Sequence, residues 1–327
     1  MDVHNLVSFA GIFILAALAW LLSSDRRNMN WRVIGWGIAL QLLMAGFIFR
    51  VPAGTRVFLA VNDAVVRVLD SAGAGSRFVF GRLALYVLTL RGQFPTIAGH
   101  LISASLLSAP ATLVMSKIIL PERQEPETLG MHVEPYYEKD SSLFEAIING
   151  ADAGVWMAVG IVALLIAVLG LVALVDLGLS SLGDLVNPML GIKGQWSLRG
   201  LFGYLFYPLT LVLGVPLSDV REVSRIIGER LIVTEVASYG DLAVAMKQGL
   251  LKDPRSVVIT TYALCGFAHI ASMAIFVGSA CALAPQLTKG IGPIAVRALI
   301  AASLACLMTA CVAGTFFTGD SILLGGS

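Results

Sequence analysis

The stretch from Val155 to Leu177 is the most apolar in the chain, and it narrows the choice of fold more than any other feature. A run of that length and character crosses the hydrocarbon core of a bilayer as a helix. Leu6–Leu22, Val33–Phe49, Phe94–Ile119 and Pro293–Phe317 have the same character. Composition agrees: of 327 residues, 57% are hydrophobic and 13% charged, against about 25% charged in soluble domains. The predicted fold class is all-α, a multi-pass helical membrane protein. The apolar composition makes the lipid bilayer the expected partner, and a formal net charge of +1 argues against a nucleic-acid partner, which would need a basic patch.

Taken in order, residues 1–50 read as two spanning helices. Between them lies SSDRRNMNWR, whose Arg26, Arg27 and Arg32 put this loop on the cytoplasmic side and the N-terminus outside. No basic segment precedes the first run, so it reads as a retained helix and not as a signal peptide. Residues 51–92 differ. Val57, Phe58, Val61, Val65, Val68 and Leu69 recur at helical spacing among Arg56, Asp63, Arg67 and Asp70, the pattern of an amphipathic helix at the interface. Residues 93–120 hold a helix rich in Ser, Ala, Thr and Gly, which predicts close packing against protein; Pro110 should kink it. His100 in this helix is either a ligand or relay residue, or a hydrogen-bonded packing histidine, the commoner role. Residues 121–150 are a polar, acidic linker. Residues 151–197 carry the long apolar run, with Asp152 and Asp176 expected as charges at its ends.

The last segment, 198–327, holds the ionisable residues that most need explaining. Leu198–Val215 reads as a partial or oblique span, and Ser218–Leu242 as one helix. Glu235 and His269 lie deep in apolar sequence, where an ionisable side chain costs several kcal/mol and lines a cavity when retained. The run from Arg255 to Pro285 is interrupted at Cys265-Gly266-Phe267-Ala268-His269. That break predicts a discontinuous helix or a re-entrant hairpin, either of which exposes backbone groups to a ligand. Beside Glu235 stand Thr234, Ser238 and Tyr239, and a carboxylate so placed accepts hydrogen bonds from two neighbouring hydroxyls such as a ribose presents. An ion pair with Arg225 or Arg230 is the structural alternative. The four cysteines, Cys265, Cys281, Cys306 and Cys311, sit in apolar runs without disulfide or Cys-x-x-Cys spacing. No Walker, Rossmann, zinc or hydrolase motif occurs, and Glu235 and His269 have no nucleophile motif beside them, so the chain does not read as an enzyme.

Two segments resemble the concentrative nucleoside transporters: Thr234-Glu235-Val236-Ala237-Ser238-Tyr239, and Tyr262-Ala263-Leu264-Cys265-Gly266-Phe267-Ala268-His269. Ser103–Glu122 is similar to the family helix that ends in Pro-Glu. The likeness covers most of residues 1–80 and nearly all of 93–318. It implies cation-coupled nucleoside symport by alternating access, in a plasma membrane (the bacterial inner membrane) and as a homotrimer. By resemblance the substrate-binding residues are Glu235, which would hold the ribose hydroxyls, with Phe267, His269 and Ser272 beside the sugar. The family has Asn where this chain has His269, and a histidine titrates near neutrality, which suggests a proton-coupled branch. The coupling ion is left as Na+ or H+, with no other cofactor and no metal site.

The resemblance also implies two inverted halves, each with a re-entrant hairpin, and a base-reading Gly-Gln-Thr-Glu-like motif on the first. That motif is absent. Gly75–Leu85 resembles the stretch before the family's third span, and Tyr86–Phe94 already resembles the lead-in to the helix at Ser103. The first hairpin and its flanking helices therefore read as missing, with a junction near Leu83–Leu85, which leaves half of the inverted-repeat transport domain incomplete. Such a loss should leave the small-residue face around His100 and Ser103 without its packing partner. The competing reading is a non-transporting membrane protein that keeps the fold only in part.

Overall fold

The computed structural model describes residues 2–71, 90, 92, 94–122, 140–190, 196–283 and 288–319. Eleven helices lie among them: α1 Val3–Leu21, α2 Trp31–Arg50, α3 Pro52–Ser71, α4 Ile97–Ile119, α5 Leu143–Leu190, α6 Leu198–Val212, α7 Val220–Ile232, α8 Glu235–Lys247, α9 Pro254–Leu264, α10 Ile270–Leu283 and α11 Thr288–Phe316. The suspected junction near Leu83–Leu85 and most of the polar linker lie outside the described residues.

Five helices are long and apolar enough to cross a bilayer: α1, α2, α4, a stretch of α5 and α11. Of these, α4 and α11 form the centre. Their spanning windows are 61% and 56% buried, against 6% for that of α5. The reason lies in composition. Ala98, Gly99, Ala104 and Ala111 in α4, and Ala301, Ala305, Ala310 and Ala313 in α11, let neighbouring backbones approach, as small residues do between helices in lipid. Gln41 of α2, fully buried, ties the two together by donating to Leu107 O (3.0 Å) and Thr309 Oγ1 (3.4 Å).

Several sequence expectations change. His100 and Ser103 keep their partners. His100 stands among Phe49, Phe58, Phe94 and Tyr262, with Nδ1 3.2 Å from the Tyr262 hydroxyl, which Ser103 also bonds. The exposed face of α4 lies further on, at Ser105, Leu106, Ala109, Thr112 and Leu113. The helix through Val155–Leu177 runs on from Leu143 to Leu190, with its most apolar stretch at Ile166–Met189. Asp176 is therefore not a charge at its end. Its Oδ1 accepts the Leu198 N–H (2.6 Å) at the start of α6, supplying one of the acceptors a helix N-terminus needs. Among the described residues the amphipathic helix covers Pro52–Ser71 and turns back sharply after Val51, so that a Cβ on Gly54 would collide with Phe47 O.

Candidate functional site

The segment Ser218–Leu242 is not one helix. α7 stops at Ile232 and α8 starts at Glu235, with only Val233 and Thr234 between. Ile232, Val233 and Thr234 are β-branched, and such residues weaken a helix. Thr234 then caps α8, its Oγ1 accepting the Ala237 N–H (3.4 Å). Arg225, two turns before this junction, meets Asp241, nearly two turns after it, at 3.2 Å. That contact requires the helices to lie side by side and antiparallel, so α7–α8 is a hairpin with Glu235 at its tip. Its base is held by buried Asp219, whose Oδ2 accepts the N–H groups of Lys252 and Asp253, both at 3.0 Å.

The break after Leu264 is a discontinuous helix. Arg255 at the start of α9 donates to Gly314 O near the end of α11 (2.8 Å). Gly266 lies against the middle of α11, where an added Cβ would come 2.1 Å from Cys306 Sγ. α10 ends at Leu283, five residues before α11 begins at Thr288, so its end lies within about 18 Å of the start of α11. α9, the break and α10 therefore run the length of α11 in the opposite sense. At the break, Ala268 N–H reaches back to Gly266 O (3.0 Å). His269 caps α10 in a reciprocal arrangement: its Nδ1 accepts the Ser272 N–H (3.0 Å), and its own N–H donates to Ser272 Oγ (2.9 Å). This is a capping box with an imidazole nitrogen in place of the usual hydroxyl.

The hairpin tip and the break meet. Nε2 of His269 lies 2.8 Å from Oε2 of Glu235, and both residues are buried. The approach is oblique, so this is an electrostatic contact and not a well-directed hydrogen bond. Because Nδ1 is an acceptor, the proton of a neutral ring resides on Nε2 and faces the carboxylate. Glu235 opens α8 and His269 caps α10, so two helix N-termini converge here, and both favour negative charge. The opposite pole is also matched. Arg230, fully buried on α7, donates through Nη1 to Ala263 O (2.8 Å) at the C-terminal end of α9, where a cation is favoured.

All four residues singled out in the sequence thus gather around His269. Phe267 places its ring at right angles to the imidazole, 4.7 Å between centroids. Ser272 is engaged in the cap, and its Oγ also lies 2.6 Å from His269 O. The alternative ion pair for Glu235 takes another form: Arg225 pairs with Glu222 and Asp241, while Arg230 holds the carbonyl of Ala263. Sequence reasoning gave Arg230 no role of its own. Its Nε and Nη2 have no hydrogen-bond partner, and neither do the buried hydroxyls of Ser238 and Thr261. Buried polar atoms left unpaired mark places where a ligand or water belongs. A separate cleft of about 720 Å³ lies between α6 and α7, lined by Arg199, Tyr204, Arg221 and Glu222 among others, and neither Glu235 nor His269 borders it.

Residues 100–314 match the family pattern described as the Na+ dependent nucleoside transporter C-terminus, and residues 10–83 match its N-terminus. The chain belongs to the Na+ dependent, or concentrative, nucleoside transporter family. It is 28% identical to mouse solute carrier family 28 member 3, covering 95% of this chain and 59% of that protein. Rat sodium/nucleoside cotransporter 1 is also 28% identical, over 96% of this chain and 64% of its own length. The chain thus spans less than two thirds of these mammalian family members. An uncharacterized transporter of Haemophilus influenzae is 27% identical and matches over 95% of this chain and 97% of itself. Among solved structures of the family fold, a doubly substituted CNTnw in an outward-facing state superposes with a TM-score of 0.77 at 21% identity, covering 97% of this chain and 99% of that one. CNTnw in an inward-facing substrate-bound state gives 0.74 at 22% identity, over 96% and 97%. The match to the mouse transporter extends over 417 positions while this chain has 327 residues, so the relative carries residues within the matched span that this chain lacks.

Proposed function

We propose that the chain is a nucleoside–cation symporter of a plasma membrane, the bacterial inner membrane, working by alternating access. One observation carries the reading: a buried carboxylate, Glu235, stands where the N-termini of α8 and α10 converge on a broken helix. Interrupted helices are where transporters of this architecture hold substrate, because their free backbone groups and dipoles face a cavity. In this reading Glu235 accepts the ribose hydroxyls, His269 and Ser272 border the sugar, and Phe267 presents a ring edge to it. The transport elements, the hairpin α7–α8 among them, move against a scaffold that includes α1, α2 and α5. The coupling ion is Na+ or H+, and the sodium-named relatives favour Na+.

The second reading, a chain that keeps the family fold without transporting, is favoured by what the matched span leaves out. The two family patterns leave residues 84–99 between them, beside the junction read near Leu83–Leu85. Val236, Gly240 and Val244 form one face of α8, and the two valines are exposed. A missing first hairpin would account for that open face.

Uptake separates the two. Labelled uridine and guanosine are offered to cells lacking their own nucleoside transporters, with and without sodium and at two pH values. Under the first reading uptake is saturable and is abolished by Glu235→Gln. No uptake from a well-expressed, membrane-inserted chain would establish the second.

A further inference from the structure

We propose that His269 is a stand-in for the sugar: its Nε2 edge lies against Glu235, and a ligand hydroxyl must displace it to bind. The inference rests on the reading of Glu235 as the sugar-binding carboxylate, and it assigns His269 the part of a specificity-determining residue that competes with substrate.

The argument starts from the cap. Ser272 N–H on Nδ1 (3.0 Å) and His269 N–H on Ser272 Oγ (2.9 Å) fix the imidazole from two directions. The edge contact with Phe267, at 85° between ring planes, limits its tilt. A ring so held has one donor left, Nε2–H, and Nε2 lies 2.8 Å from Glu235 Oε2, off the line of a good hydrogen bond. An asparagine at this cap could give its amide oxygen to the Ser272 N–H. Its amide nitrogen would then stand where the imidazole has Cδ2, one bond short of Nε2. Histidine therefore keeps the cap and extends the donor to the carboxylate.

The contact suits something that must give way. A carboxylate buried at a hairpin tip is costly without a compensating donor. His269 provides one, yet the oblique approach makes it weaker than a linear charge-assisted bond. A vicinal diol, with two well-directed O–H donors, is a better partner for the same carboxylate. Arg230 on α7 is anchored on Ala263 O, and Thr234 is engaged as the cap of α8.

The test uses the full chain in nanodiscs with labelled uridine as probe. His269→Asn keeps a cap acceptor and removes the reach to Glu235. It should bind uridine about tenfold tighter, the equivalent of one modest charged hydrogen bond. It should show no gain for 2′,3′-dideoxyuridine, which has no diol to put in the place of His269. His269→Ala, which loses the cap, should bind more weakly than wild type. Equal or weaker uridine binding by His269→Asn overturns the proposal. Nitrogen NMR of histidine-labelled protein, with the His269 signals identified by their loss in His269→Asn, reads the contact without any nucleoside. An unprotonated Nδ1 and an Nε2 signal that shifts in Glu235→Gln support the stand-in; a protonated Nδ1, or no shift, overturns it. If no form binds a nucleoside while the NMR contact is present, the sugar reading fails and the contact stands.

Discussion

Arg255 shows what a single residue contributes here. Its guanidinium is buried and its donors are spent on neutral acceptors: Gly214 O, Asn5 Oδ1, His4 O, Ser8 Oγ and Gly314 O, at 2.6–2.8 Å. One side chain thereby joins the start of α9 to α1, to the turn after α6 and to the end of α11. A lysine has three donors and no planar fork. Arg255→Lys should therefore leave buried carbonyls unpaired and destabilise the protein by about 2–4 kcal/mol, read as a lower midpoint of thermal unfolding in detergent. Gly266 is the second such residue. Gly266→Ala drives a methyl into Cys306 and should cost about 1–3 kcal/mol as an overpacked core does. Cys306→Ala in the same chain should recover most of that loss, and a double-mutant cycle measures the coupling. The two residues differ in legibility. Gly266 stood in a visible break. Arg255 carried no local signal of its role, because its acceptors come from distant parts of the chain.

At the scale of elements, the hairpin α7–α8 depends on its two ends. Thr234→Ala removes the cap at the tip and should cost about 1 kcal/mol, seen as faster hydrogen exchange in the first turn of α8. Asp219 clasps the base. Burial works against its ionisation, but the nearby Ser256 hydroxyl and the bonds from the Asp253 N–H, from Ser218 and from the Lys252 N–H outweigh it, so its pKa lies below the ordinary value. A carboxylate lowered in this way stabilises the fold above its unfolded-state pKa and loses that contribution as pH falls through the folded-state value. The unfolding midpoint in detergent should therefore drop on acidification below about pH 4. Asp219→Asn should lower the midpoint at neutral pH and flatten the acid limb; an unchanged limb would refute the assignment. The reversal itself was hidden in the sequence. No glycine or proline marks Val233–Thr234, and the apolar pattern runs straight through it. Only the meeting of Arg225 with Asp241 shows that the chain turns back.

For the whole molecule, α5 is the conspicuous feature. At 48 residues it is about 72 Å long, and its most apolar stretch is almost wholly uncovered by the rest of the chain. In a bilayer such a surface meets lipid or other copies of the chain. The homotrimer implied by the family is the proposed arrangement, and native mass measurement in nanodiscs should find three chains. A purely monomeric species would rule it out.

The helical class, the family likeness and the approximate spanning runs were legible in the order of residues, although the most apolar stretch of α5 lies at Ile166–Met189 and not Val155–Leu177. Hydropathy and local motifs suffice for these, since each is a property of neighbouring residues. Only the tertiary structure decided that Ser218–Leu242 folds back on itself, that the break after Leu264 lies within one traversing element, and that His269 spends one nitrogen on a cap and aims the other at Glu235. Those outcomes depend on contacts between residues far apart in the chain, where geometry and not local preference selects the partner.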